Sequence, residues 1–174
     1  LLVDVNRLAH PMYIGHQVSA PLPAAVWTEA LISALNQSQA VREMSPSFTP
    51  LEHQVIEWMT DLIGWDARAG GTMTSGGTEA TLTALLAARA RAIPNVWDRG
   101  VGPRPPVLVC GEHAHYAVTR AAGVMGLGQS HVVVIPSDGQ RMSVPQLRAR
   151  LAELQHEHKP VMAVVATAGC TATG

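Results

Sequence analysis

Apolar positions along the chain alternate between two periods, and the alternation predicts its elements. Thr49-Pro50-Leu51-Glu52 combines a capping hydroxyl, a proline at a first helical position and a glutamate three residues after the cap. Leu51, Val55, Trp58, Met59 and Leu62 then recur at helical spacing up to Gly64, which predicts a helix with those residues as its apolar face. A second helix is predicted over Thr78 to Ala92, rich in alanine and leucine and closed by Pro94. A third opens at Ser143-Val144-Pro145-Gln146 with Val144, Leu147, Leu151 and Leu154 on one face. Shorter ones are predicted at about Ala24 to Asn36 and His115 to Met125.

Between the helices lie short runs without polar alternation: Val107 to Cys110, His131 to Ile135 and Val161 to Ala166. Such runs suit strands covered on both faces. With a short strand ending at Met73, the order from residue 71 is strand, helix, strand, helix, strand, helix, strand. This alternation predicts an α/β fold, a mostly parallel sheet with helices on both faces. An amino-terminal helical segment, residues 1–64, precedes it, and residues 65–174 form the sheet-bearing part. Val101 to Pro106 carries four helix breakers in six residues and reads as a surface loop. Ligands of parallel sheets bind beyond the carboxyl ends of the strands, so the loops after Met73, Cys110, Ile135 and Ala166 are the ones to search.

Composition narrows the class. The chain has 174 residues, 47% hydrophobic, with net charge −1, enough to bury a core and with no basic block to meet nucleic acid. No apolar run reaches the roughly 18 residues of a membrane helix, so no membrane role is expected. Cys110 and Cys170 are too few and too far apart for a disulfide framework, and a cytoplasmic location is expected. Leu1 in place of an initiator methionine, and an end at Gly174 with no closing element, predict a piece of a longer polypeptide. Of twelve basic residues only Lys159 is a lysine. It follows a helix and precedes a strand, which puts it at the sheet edge opposite the strand carboxyl ends.

The loop Thr74-Ser75-Gly76-Gly77-Thr78-Glu79-Ala80 has two glycines, two well-placed hydroxyls on Ser75 and Thr78, and a helix that starts within it. Amides at a helix start, helped by the dipole, receive anions, so this is a candidate phosphate cradle. It lacks the lysine of a Walker loop and the G-x-G-x-x-G of a dinucleotide fold. The alternative is an ordinary turn with Thr78 as N-cap. In Cys110-Gly111-Glu112-His113-Ala114-His115-Tyr116 an imidazole at a strand exit can stack on an aromatic ring or move a proton. Alternatively, one histidine caps the next helix and the other is solvated. A zinc site from Cys110, His113 and His115 is disfavoured, because strand alternation turns Cys110 into the sheet and no fourth ligand is evident; no metal is predicted. Cys170, with nothing nearby to lower its pKa, reads as a small packing residue. There is no G-x-S-x-G elbow for serine hydrolysis. Upstream, polar His16 and Gln17 in an apolar stretch either face a substrate or are structural.

Taken in order, these segments resemble one family. His10-Pro11 with an aromatic two residues on, Ser45-Pro46-x-x-Thr49-x-x-Glu52, Thr74 to Ala80, His113-Ala114-His115-Tyr116 leading to Arg120-Ala121-Ala122, and Ala166-Thr167-Ala168-Gly169 together resemble the group II pyridoxal phosphate-dependent amino acid decarboxylases. The resemblance implies the fold type I (aspartate aminotransferase) large domain, incomplete in this chain, and a homodimer acting on a small-molecule amino acid substrate. It implies that Gly76, Gly77 and Thr78 hold the phosphate of pyridoxal 5'-phosphate, and that His115 stacks on its ring and handles a proton. Thr167 and Thr171 fall in the segment lining the cofactor pocket, where the family more often has threonine at the position of Cys170. Gln17 falls in the segment shaping the substrate pocket. The reaction needs a lysine for the resting Schiff base and an acid for the ring nitrogen. Relatives carry both beyond the point matching Gly174, so this stretch alone is expected to be inactive. Alternatives are another fold type I lyase, such as a sphingosine phosphate lyase-like enzyme acting on a phosphorylated amino alcohol, and a non-catalytic scaffold homologue.

Overall fold

The computed structural model describes residues 5–15 and 18–170. Its elements in chain order are α1 (Pro23–Leu35), α2 (Phe48–Ile63), α3 (Gly77–Ala92), α4 (Val96–Arg99), β1 (Val107–Gly111), α5 (Ala117–Val124), β2 (Val132–Ile135), β3 (Ser137–Asp138), β4 (Arg141–Met142), α6 (Val144–His156) and β5 (Val161–Val165), with 3-10 turns at Arg42–Met44 and Gln129–His131. The chain divides into two compact units, Leu1–Met73 and Thr74–Gly174.

In the first unit α1 starts with Pro23 in its first turn and stops at Asn36 in the left-handed conformation, and it buries none of its residues. The predicted N-cap of α2 is corrected: the helix begins one residue before Thr49, after Ser47, and no side chain caps it. Its end at Gly64, with φ +82°, is where the sequence puts it. The predicted apolar face is corrected too. Leu51, Trp58, Met59 and Leu62 are exposed, whereas Ile56 and Thr60 are buried. The reason is the stripe Glu52, Ile56, Thr60, spaced i, i+4, i+8, which holds the segment that follows. Glu52 Oε1 accepts from the amide of Met73 at 2.9 Å, Thr60 carbonyl accepts from Trp65, and Ile56 lies beside Gly71. The same bond corrects the short strand expected to end at Met73. That amide is spent on a carboxylate, and residues 71–73 form no strand.

The second unit contains a three-stranded parallel sheet in the order β2-β1-β5. Alternate side chains of β1 divide the core. Leu108 and Cys110 join Leu85 of α3 and Val118, Ala121 and Ala122 of α5 on one face, and Val107 and Val109 join Ile135 and Leu154 of α6 on the other. Helices therefore cover both faces, as the apolar runs predict. β1 is buried along its whole length, but Val134 and Val164 are exposed, because β2 and β5 flank the central strand and the helices reach over them only partly. The face of α6 is as predicted for Leu147, Leu151 and Leu154, while Val144 in its first turn is exposed.

From β1 the chain crosses by α5 on one face to β2, then by α6 on the other face to β5 on the opposite side of β1. Crossing on opposite faces is what a single handedness of connection requires when the direction along the sheet reverses. The carboxyl ends of β1 and β2 consequently form the switch point, where the loop after β1 leads to α5 on one face and the loop after β2 leads to α6 on the other.

Candidate active site

At that switch point the loops enclose a cavity of about 650 Å³, within the usual size range of small-molecule sites. It is lined by Gly111, His113 and Ala114 after β1, by Ser137 and Gly139 to Met142 after β2, and by Thr167 to Cys170 after β5. Three of the four loops singled out in the sequence thus meet in one place. Thr167 and Cys170 line the cavity; His115, Gly76, Gly77 and Thr78 do not. Gln17 and Thr171, with His16, lie outside the described residues.

A feature absent from the sequence reading is the β3–β4 hairpin. Its pairs are Ser137 with Met142 and Asp138 with Arg141, and its two central residues, Gly139 and Gln140, have φ +55° and +70°. Two successive positive φ values make the tight turn whose twist matches a hairpin. The two loop residues, Gly139-Gln140, are not the Asn-Gly or Asp-Gly pair that marks such a hairpin, so glycine at the first central position is the one local signal. The hairpin is fastened to its surroundings. Glu112 Oε1 accepts from the amide of Ser137 at 2.9 Å, the amide of Ser143 donates to Pro136 carbonyl at 2.9 Å, and Met142 lies directly over Gly111. Hydrogen bonds from the Ser137 hydroxyl and amide hold the Glu112 carboxyl below its usual range, with a smaller contribution from His113.

His115 stands on the turn between β1 and α5. The amide of Ala117 donates to its Nδ1 at 3.2 Å, so the ring caps the helix start, and its neutral form carries the proton on Nε2. Its ring centroid is 4.1 Å from that of Tyr116, and the Arg120 guanidinium lies 4.8 Å from the Tyr116 ring. His115 is exposed, so capping leaves the other ring nitrogen and a ring face accessible. Cys110 is turned into the core against α3 and α5, as strand alternation predicts, and burial pushes its thiol up.

At the start of α3, Gly76 is the N-cap and Gly77 and Thr78 form the first turn, all exposed. A Cβ on Gly76 or Gly77 would meet no atom of the chain within 4 Å. What the glycines leave open is therefore the outer approach to the first-turn amides. Thr78 is not the N-cap expected of an ordinary turn, since the cap is Gly76, two residues earlier. Ser75 is not available as an anion donor: its amide and Oγ both donate to Glu79 Oε2, at 2.8 and 2.5 Å, which lowers the Glu79 pKa. The remaining donors, the Gly77 and Thr78 amides and the Thr78 hydroxyl at a positive helix end, suit a phosphate. Lys159 sits before β5, paired with Glu157 at 2.8 Å, at the edge opposite the cavity loops.

A parallel sheet covered by helices on both faces, with a cavity at its switch point and an anion-receptive helix start, defines a fold type I α/β domain. The chain matches the family described as pyridoxal-dependent decarboxylase conserved domain over residues 10–174, and it belongs to that family. It is 37% identical over 185 residues to L-2,4-diaminobutyrate decarboxylase of Rhizobium meliloti (strain 1021), covering 99% of this chain and 36% of that one. It is 28% identical to cysteine sulfinic acid decarboxylase of Rattus norvegicus, covering 97% and 34%. Among solved structures, the glutamate decarboxylase domain of diaminobutyrate-pyruvate transaminase and L-2,4-diaminobutyrate decarboxylase from Vibrio parahaemolyticus superimposes with a TM-score of 0.82 at 31% identity, over 87% of this chain and 34% of that one. The chain thus spans about a third of the length of these relatives. Among the described residues no helix is long and apolar enough to cross a membrane.

Proposed function

We propose that the full-length protein removes CO2 from an L-amino acid, giving an amine, with pyridoxal 5'-phosphate as cofactor. The observation that supports this is an exposed, oriented imidazole, His115, at the exit of the central strand, next in sequence to the cavity-lining His113 and Ala114, in a chain that also carries an open helix start at Gly76-Gly77-Thr78. The decarboxylases named above favour this reaction over cleavage of a phosphorylated amino alcohol.

In this reading the amides of Gly77 and Thr78, with the Thr78 hydroxyl, bind the phosphate. Thr167 lines the cavity, and it, Thr171 and Gln17 are assigned to the cofactor and substrate pockets by family resemblance. When bound, the cofactor supplies an electron sink for the charge left as CO2 departs. His115 is the catalytic residue of this chain. Its Nδ1 is occupied by the Ala117 amide, so the ring presents a fixed face and exchanges a proton only at Nε2. Lys159 has no part in the site.

A homodimer in the cytoplasm completes the proposal. The homodimer accounts for Val26, Trp27, Leu31 and Ile32 of α1 and Trp58 and Leu62 of α2, exposed apolar side chains that a second copy, together with the rest of the full-length protein, would cover. The decisive assay is CO2 release by the full-length protein with added cofactor, over the common amino acids and the substrates of the named relatives. Release from one class supports the reading. A protein that binds the cofactor and releases CO2 from none is the scaffold homologue.

A further inference from the structure

Among the described residues the cavity lining contains no aspartate or glutamate, and Glu112, 3.7 Å from Nε2 of His113, stands behind it. The charged or chargeable members of the lining are Arg141 of β4 and His113, joined by the neutral donors Ser137, Gln140 and Thr167. Among the described residues no carboxylate pairs with the Arg141 guanidinium. Its support is fixed: the hairpin turns at Gly139-Gln140, is held by Glu112 through Ser137, and packs through Met142 on Gly111. A guanidinium on a pinned hairpin, facing a cavity without acid groups, matches the planar fork geometry of a carboxylate.

We infer that this cavity is an anion subsite for the substrate, with Arg141 binding a carboxylate-type group and Glu112 as the positioning residue that holds the hairpin. The inference rests on the decarboxylase reading. The phosphate has its own donors at Gly77 and Thr78, which do not line the cavity, and the carboxylate nearest the wall, Glu112, is engaged by the Ser137 amide and His113 rather than open to an ammonium side chain. The anion has two sources, an acidic side chain or the α-carboxylate. The side chain is favoured, because an ion pair to the departing carboxylate stabilises the ground state and slows its loss.

The test uses the full-length protein and its Arg141→Gln and Arg141→Lys variants. Binding of glutarate and of 1,3-diaminopropane is measured by calorimetry on the apoprotein, alongside the affinity for pyridoxal phosphate. Glutarate binds and diaminopropane does not. Arg141→Gln weakens glutarate about tenfold or more, as loss of a charge-assisted bond implies, Arg141→Lys recovers part of it, and cofactor affinity stays unchanged. In the holoenzyme KM rises more than kcat falls, for acidic amino acids alone if the side chain is the anion and for all substrates equally if the α-carboxylate is. Glu112→Gln, which keeps an acceptor for Ser137, retains glutarate binding, whereas Glu112→Ala weakens it and speeds amide exchange at 137–142. Unchanged glutarate binding in Arg141→Gln overturns the inference, and so does an equal loss of cofactor binding, which would place Arg141 in the phosphate cradle. Glutarate binding by a protein that does not take up pyridoxal phosphate leaves the subsite standing and overturns the decarboxylase reading instead.

Discussion

The amide of Ala117 donates to Nδ1 of His115 at 3.2 Å, so one residue both caps helix α5 and presents an oriented ring at the end of the central strand. Capping and chemistry are separable by substitution. His115→Ala loses the cap, about 1 kcal/mol, and lowers activity by about 10²–10⁴-fold. His115→Asn, which still offers a capping oxygen, recovers the stability without the activity. Denaturant melts and turnover of the full-length protein measure the two effects. In the same protein ¹⁵N shifts of His115 show the proton of the neutral ring on Nε2. Recovery of activity by asparagine would reduce the residue to a cap.

The core side chain most exposed to test is Leu154, fully buried between α6 and the Val107/Val109 face of β1. Leu154→Ala removes its methyl groups and leaves a cavity, destabilising the second unit by about 2–5 kcal/mol. Val144→Ala, on the same helix but exposed, changes stability by about 0.5 kcal/mol or less. Urea unfolding of the full-length variants checks the contrast.

Glu79 makes the start of α3 sensitive to acid. Bonds from Ser75, the hydroxyl first and then the amide, lower its folded pKa. A depressed carboxyl contributes stability above its unfolded pKa, and that contribution is lost as pH falls from the ordinary glutamate range through the folded value. Glu79→Gln therefore lowers thermal stability slightly above the ordinary glutamate range, where the contribution is present, leaves it almost unaltered in strong acid, and so flattens the acid limb. The effect is small, since the pair is solvent-exposed.

Where one physical signal dominated, the sequence was a sufficient guide. The three long strands and α3, α5 and α6 follow from apolar runs and helical spacing, and the assignment of helices to both faces follows from the uninterrupted apolarity of β1. The sequence misled where a tertiary contact outweighed the local pattern. The broad apolar stripe of α2 suggested a buried face, but a narrower stripe led by a polar residue, Glu52, makes the contacts, and it takes the Met73 amide that a strand would have used. Ser75 looked like an anion donor because its partner, Glu79, lies one helical turn away and only the folded turn brings them together. The hairpin was only faintly marked, by Gly139 beside a glutamine forced to positive φ, and its consequence, Arg141 and Gln140 on the cavity wall, depends on Glu112, twenty-five positions before Ser137.

The turn of that hairpin offers a further check. Gln140 has φ +70°, a conformation that costs an ordinary side chain about 1 kcal/mol, so Gln140→Gly is stabilising or neutral. Gly139→Val, at φ +55°, adds a β-branched residue to the left-handed region and destabilises the hairpin by about 1–2 kcal/mol. Amide exchange across residues 137–142 reports both.

The central claim, that the start of α3 holds the cofactor phosphate, is tested most directly by titrating the full-length apoprotein with pyridoxal phosphate and following its absorbance. The comparison is between the natural chain and Gly77→Asp. An aspartate in a first helical turn suits the helix dipole, so the variant folds. Its charge falls where the phosphate is assigned. The natural chain binds saturably and the variant loses about a hundredfold or more in affinity, from repulsion between close like charges. Equal affinity in the two proteins would contradict the phosphate assignment.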